Sequence, residues 1–149
     1  MNNANRLVGR DVQITNIVLV EAIRQMKEND TPETKNIVID ETVMKAKFLM
    51  PVRVGEENKL EINMITNDKK ENFFLAFTDW QEVSTYLREA GQKAMVMTFD
   101  DYAMLMKKNS QASGFVINPF SSNLIFRKDY IKQLFDKKVE ILTSGLKEE

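Results

Sequence analysis

A chain of 149 residues, 43% apolar and 29% charged, is built to bury a core as a globular domain and is not composed like a disordered segment. Its 21 Lys and Arg against 22 Asp and Glu leave a net charge of -1 with no concentrated basic run, which excludes an obvious nucleic-acid-binding face. The absence of histidine and cysteine removes imidazole bases, His-ligated metals, thiolate nucleophiles, disulfides and thiolate-bound zinc.

In chain order, the first residues lack the charged-then-apolar plan of a secretory signal, and residues 1–13 are expected as a flexible end. Ile14, Val18, Leu19, Ala22, Ile23 and Met26 recur at helical spacing, predicting a helix over 14–28. Thr31-Pro32 restarts a helix over 33–46, with Thr as N-cap and Pro at the first helical position. Residues 47–52 read as a strand, and Pro51, which has no N–H for a ladder, places it at a strand end or an edge. Leu60, Ile62 and Met64 alternate with Glu61 and Asn63 as one strand with a single buried face. Residues 73–77 are apolar on both faces and belong inside a sheet.

Thr78 and Gln81 have the spacing of a capping box, with Asp79 and Glu82 in the first turn of a helix that Gly91 would close. Residues 94–97 form a second buried strand, and Thr98 caps a helix with Asp100 and Asp101 in its first turn and Lys107-Lys108 at its end. A third strand, 115–117, stops at Asn118-Pro119, and Leu124-Ile125-Phe126 is a short fourth. A last helix over 129–138 turns Ile131, Leu134 and Phe135 inward, and 143–149 is a loose end. The expected class is α/β (α+β): a mixed β-sheet with a parallel βαβαβ portion and an antiparallel hairpin, with helices packed on it. The longest uncharged run, 109–126, carries Gly114, Asn118, Pro119 and four serines, so it is no membrane span, and a cytoplasmic address is the default.

Three stretches in this order share a pattern with a known family: Phe74-Leu75-Ala76-Phe77-Thr78-Asp79, then Ala94-Met95-Val96-Met97-Thr98-Phe99-Asp100-Asp101-Tyr102, then Gly114-Phe115-Val116-Ile117-Asn118-Pro119-Phe120-Ser121. With the earlier Thr42-Val43-Met44-Lys45-Ala46-Lys47-Phe48-Leu49-Met50-Pro51, the chain from 17 to 134 resembles the N-terminal domain of the SseB family, named for enhanced serine sensitivity. The resemblance implies an α/β fold, no established catalytic mechanism and no catalytic residues to carry over. It also implies a single N-terminal-type domain over 1–149, without the separate C-terminal domain that many relatives continue into.

Beyond the carboxyl ends of parallel strands, Thr78, Asp79, Thr98, Asp100, Asp101 and Asn118 would converge on one rim. There they would bind an amino-acid-like molecule or simply cap helices. The turn Pro119-Phe120-Ser121 either presents Phe120 to a partner or folds it back over the sheet. Met104 and Met106 lie in a continuously apolar helix segment suited to protein docking or to a sandwiched position. For catalysis, Asp79, Asp100 and Asp101 would serve as ligands for a divalent metal, with Lys93 or Tyr102 nearby. However, no G-x-S-x-G elbow, S-x-x-K set or Walker-type glycine loop is present. The leading expectation is therefore a non-catalytic interaction or regulatory module, with no cofactor and no resident metal. A protein partner or homo-oligomer is expected, and nucleic acid and membrane are not. An amino-acid sensor and a metal-assisted hydrolase are the alternatives.

Overall fold

The computed structural model describes residues 6–147. Its centre is set by two strands that are apolar on both faces, β5 (Asn72–Ala76) and β7 (Ala112–Ile117). They pair in parallel, with Phe74 beside Phe115 and Leu75 beside Val116. β4 (Met64–Thr66) and β8 (Leu124–Arg127) flank them antiparallel, in the order β4-β5-β7-β8. A second, wholly antiparallel sheet has the order β1-β6-β2-β3, built from β1 (Leu7–Val8), β6 (Lys93–Met97), β2 (Phe48–Val54) and β3 (Leu60–Ile62). The helices are α1 (Ile17–Glu28), α2 (Pro32–Met44), α3 (Trp80–Val83), α4 (Phe99–Lys108) and α5 (Lys128–Lys147). This is the α+β class that the strand and helix patterns imply.

The parallel portion is narrower than the strand-helix-strand-helix-strand order suggests. β6 runs in the same sense as β5, since each pairs antiparallel to β2, but β2 lies between them. Leu49 of β2 exchanges two backbone hydrogen bonds with Phe77, at 2.8 and 2.9 Å, while the opposite edge of β2 pairs with β6. The expected strand through Leu60, Ile62 and Met64 is likewise two strands: Asn63 separates β3 in one sheet from β4 in the other.

Pro51 sits inside the ladder, opposite Ala94, and not at an edge. Backbone polar groups along a strand point alternately to its two sides. Leu49 points its pair at Phe77, so Pro51 directs its donor-less nitrogen to the same side. There the bridge to Phe77 has ended and pairing with β3 begins only at Val52. The proline falls where no ladder donor is required.

The larger core lies between the sheets and α1, α2, α4 and α5. It gathers Leu19, Val38, Phe48, Phe99, Tyr102 and Phe115. Tyr102 stacks on Phe115 at 4.6 Å, and Phe115 stacks on Phe126 at 5.1 Å. Burial pushes the Tyr102 phenol well above its ordinary pKa, as does the nearby Asp101 charge, so it stays a neutral donor to the Leu75 carbonyl at 2.7 Å. A smaller core of Leu49, Phe73, Leu75, Phe77 and Val83 lies on the other side, against Ile14, Trp80 and Tyr86.

Local chemistry explains the helix ends. Thr31 and Thr34 form a reciprocal capping box at α2, and Thr98 and Asp101 form one at α4. At α3 the cap is Asp79, whose carboxylate accepts from the Glu82 N–H at 2.9 Å, and Thr78 is buried one residue earlier. α3 stops after one turn, and the chain continues through turns at 84–86 and 90–91. The Ser84 and Thr85 hydroxyls donate to the Trp80 and Glu82 carbonyls, favouring local turns over a continuing helix. Gly91 therefore closes no helix.

α1 starts at Ile17, later than the apolar spacing suggests, and Val18 is exposed. Of the expected loose N-terminal end, residues 1–5 lie outside the described residues, and Leu7–Val8 pairs with β6. At the other end α5 continues to Lys147, past the predicted 138, and 148–149 lie outside the described residues.

Gly114 carries a testable consequence. A Cβ there would collide with the Phe126 carbonyl oxygen and lie 3.0 Å from the Arg127 Cα, both backbone atoms of the paired strand β8. Gly114→Ala should lower the unfolding free energy by about 3 kcal/mol, the cost of overpacking against an unyielding neighbour, as read from urea unfolding.

Candidate functional site

The rim beyond β5 and β7 is built from backbone ends and short polar side chains. Asn118 follows β7 with a left-handed φ of 47°, a conformation that asparagine tolerates better than most residues. Its N–H continues the parallel ladder to the Ala76 carbonyl at 3.0 Å. Its side-chain oxygen accepts from the Thr78 N–H at 3.0 Å, and its Nδ2 donates to Thr78 Oγ1 at 3.0 Å. Thr78 Oγ1 in turn donates to Asp79 Oδ2 at 2.8 Å, while Asp79 Oδ1 caps α3. Thr78, Asp79 and Asn118 are thus brought together as expected, but they bond to one another.

A residue that the sequence did not single out completes this seam. Asn16, just before α1, makes no cap bond with its side chain. Its Nδ2 donates to the Lys47 and Thr78 carbonyls, both at 2.8 Å, and its oxygen accepts from the Lys47 N–H at 3.1 Å. One amide joins α1, β2 and the end of β5. No sequence motif signals it, because its partners are 31 and 62 residues away.

Thr98, Asp100 and Asp101 follow β6, on the other side of β2, and each is engaged locally. Asp101 accepts from the Thr98 N–H and pairs with Arg6 at 2.6 Å. Asp100 pairs with Lys138 of α5 at 3.0 Å, and the same ammonium reaches the Val43 carbonyl at 3.1 Å. Among the described residues no three carboxylates stand together as a metal-ligand set, so Asp79, Asp100 and Asp101 do not gather as the alternative metal-assisted reading required. Tyr102 is committed to Leu75, and the Lys93 ammonium lies beside Gly9.

The 118–123 loop is held from several directions. The Ser121 and Asn123 N–H groups both donate to the Asn118 carbonyl. The Ser121 hydroxyl donates to Glu82 at 2.6 Å, and Lys27 of α1 donates to the Ser122 carbonyl at 2.6 Å. Pro119 fixes one further torsion. On this support Phe120 lies flat against Tyr86, with ring centroids 6.1 Å apart and planes 9° apart, and remains 56% exposed. Tyr86 stacks in turn against buried Phe77. Phe120 therefore packs with one face and presents the other. Of the two methionines, Met104 is exposed and Met106 is buried, so the helix segment offers one flexible side chain to solvent.

The molecule is an α+β domain whose polar groups at the ends of β5 and β7 bond to one another, with a braced aromatic on its surface. The model of the SseB protein N-terminal domain matches residues 19–133, and the chain belongs to that family. No curated protein and no solved structure matches it. Among the described residues no helix is long and apolar enough to cross a membrane.

Two outcomes follow. Asn118→Ala should cost about 3 kcal/mol, since it strands the buried Thr78 N–H and keeps a Cβ in left-handed space without the amide that makes it tolerable, whereas Asn118→Gly, which removes that Cβ, should cost about 2 kcal/mol. Their difference in urea unfolding isolates the backbone part. The second concerns pH. Burial opposes the Asp101 charge, but Arg6 and the Thr98 N–H and hydroxyl outweigh it, so its carboxyl lies below the ordinary value. The unfolded chain then binds this proton first as pH falls. The resulting stability is present above the unfolded pKa of about 3.9 and is lost as pH drops through the lower native value. Asp101→Asn should flatten the acid limb of a stability-versus-pH curve below about pH 4.

Proposed function

We propose that this domain is a non-catalytic, cytoplasmic interaction module that docks a protein partner through the 118–121 loop. The observation that carries the proposal is Phe120: a large aromatic, 56% exposed, on a loop pinned by Asn118, Ser121 and Lys27. A side chain held in place before binding loses little entropy on contact, and aromatics so presented serve as interface anchors. The internal pairing of Thr78, Asp79 and Asn118 supports docking over small-molecule sensing at the strand ends, because those groups have already spent their hydrogen bonds. The lack of any imidazole or thiol supports it over catalysis. A regulatory role connected with serine sensitivity, as the family name implies, would be exercised through such a partner.

Phe120→Ser is the test. Because half the ring is solvent-facing, the variant should melt within about 3 °C of the parent. It should lose proteins that co-purify with the tagged parent. A larger fall in melting temperature, or an unchanged set of bound proteins, would show that the ring only covers Tyr86.

A further inference from the structure

Beside Pro51, where the two sheets part, lies a cavity of about 340 Å³ between β2 and the segment 84–91. It is of the size that small-molecule sites occupy. One wall is apolar, formed by Pro51, Tyr86 and Leu87, and the polar residues are Arg53, Asn63, Glu89, Gln92 and Lys93.

Gln92 is the informative residue. It is 7% exposed, and its Nε2 donates to the Val52 carbonyl at 3.1 Å and the Lys93 carbonyl at 2.7 Å. Two carbonyl partners fix which end of the amide is nitrogen, so the other end is an acceptor. That oxygen has no hydrogen-bond partner among the described residues. An acceptor left open on a cavity wall can take a donor from whatever enters.

The charges add a second requirement. Arg53 makes no ion pair among the described residues, although Glu61 stands opposite it across the β2–β3 ladder. Glu61 leans toward Gly55 instead. The Glu89 carboxylate also makes no ion pair, while its backbone carbonyl holds Arg10 at the outer side of the turn. Two cations, Arg53 and Lys93, the anion Glu89 and one unpaired acceptor thus line a cavity with an apolar wall, and the Lys93 ammonium lies beside Gly9.

We propose that this cavity binds a small zwitterion of the α-amino-acid type with an apolar side chain. The carboxylate would face Arg53, the ammonium would face Glu89 and the Gln92 oxygen, and the side chain would lie against Pro51, Tyr86 and Leu87. The site is separate from the strand-end residues and does not depend on the docking role of Phe120.

The test uses the full chain and free L-leucine, L-phenylalanine and glycine, with N-acetyl-L-leucine and L-leucinamide as charge-blocked probes. Calorimetric titration should show leucine or phenylalanine binding more tightly than glycine. Each blocked probe should bind about tenfold more weakly than leucine. Arg53→Ala, at an exposed strand position, should abolish the preference for leucine over leucinamide, and Glu89→Gln the preference over N-acetyl-leucine. In amide correlation spectra the side-chain Nε2 signals of Gln92 should shift on adding leucine. The proposal is overturned by no binding of any free amino acid up to about 10 mM, by equal binding of the blocked probes, or by shifts confined to residues away from Gln92. None of these results bears on partner retention by Phe120, so the two readings fail separately.

Discussion

The two backbone hydrogen bonds between Leu49 and Phe77 hold the architecture together. Both residues are fully buried, and between them they turn two four-stranded sheets into neighbours that share the edge of β2. A single bridge cannot zip the sheets along their length. They part immediately beyond it, and the chain adapts on each side of the gap. Pro51 supplies a residue with no donor to satisfy, and Asn63 lets one hairpin arm change sheets. The same parting leaves room for the cavity lined by Tyr86 and Gln92. A fully paired sheet would have no opening there.

Where the bridge cannot supply pairing, side-chain amides do. Asn16, Asn118 and Gln92 are far apart in sequence, yet each hydrogen-bonds to backbone at a place where strands end or diverge. An unmet backbone donor or acceptor in the interior costs on the order of 1–3 kcal/mol, so a residue with both a donor and an acceptor suits a broken ladder. This also explains why the polar strand ends are poor places for a ligand. Their donors and acceptors were needed to finish the sheets, as the mutual bonding of Thr78, Asp79 and Asn118 shows.

The features legible in the sequence are those decided within a few residues. The N-caps at Thr31 and Thr98, the doubly apolar strands and the turn at Asn118-Pro119 depend on neighbours one to four positions away, and each appears in the fold. The sense of β6 was legible too, because it follows from the connection rules. Its neighbour was not, since Ala94 and Val96 face one core while Met95 and Met97 face the other, and such a strand suits the middle of either sheet. The misplaced cap at Thr78 has a similar cause. Thr78 and Asp79 are both good caps by residue type, and what separates them is the bond to Asn118, 40 residues away. For the same reason Asp79, Asp100 and Asp101 look like one constellation in sequence, while the fold distributes them among separate partners.

Tyr86 links the two surfaces that remain open. Its ring is sandwiched between buried Phe77 and exposed Phe120, and the same residue lines the cavity at the sheet gap. The turns that carry it are not a regular helix. They are held from outside by Arg10, which donates to Ser84, Leu87 and Glu89 and lies over the Trp80 ring. The segment is fastened by local backbone hydrogen bonds, by the Arg10 side chain on one side and by ring stacking on the other. The two surfaces thus share Tyr86 as one physical element although their chemistry differs.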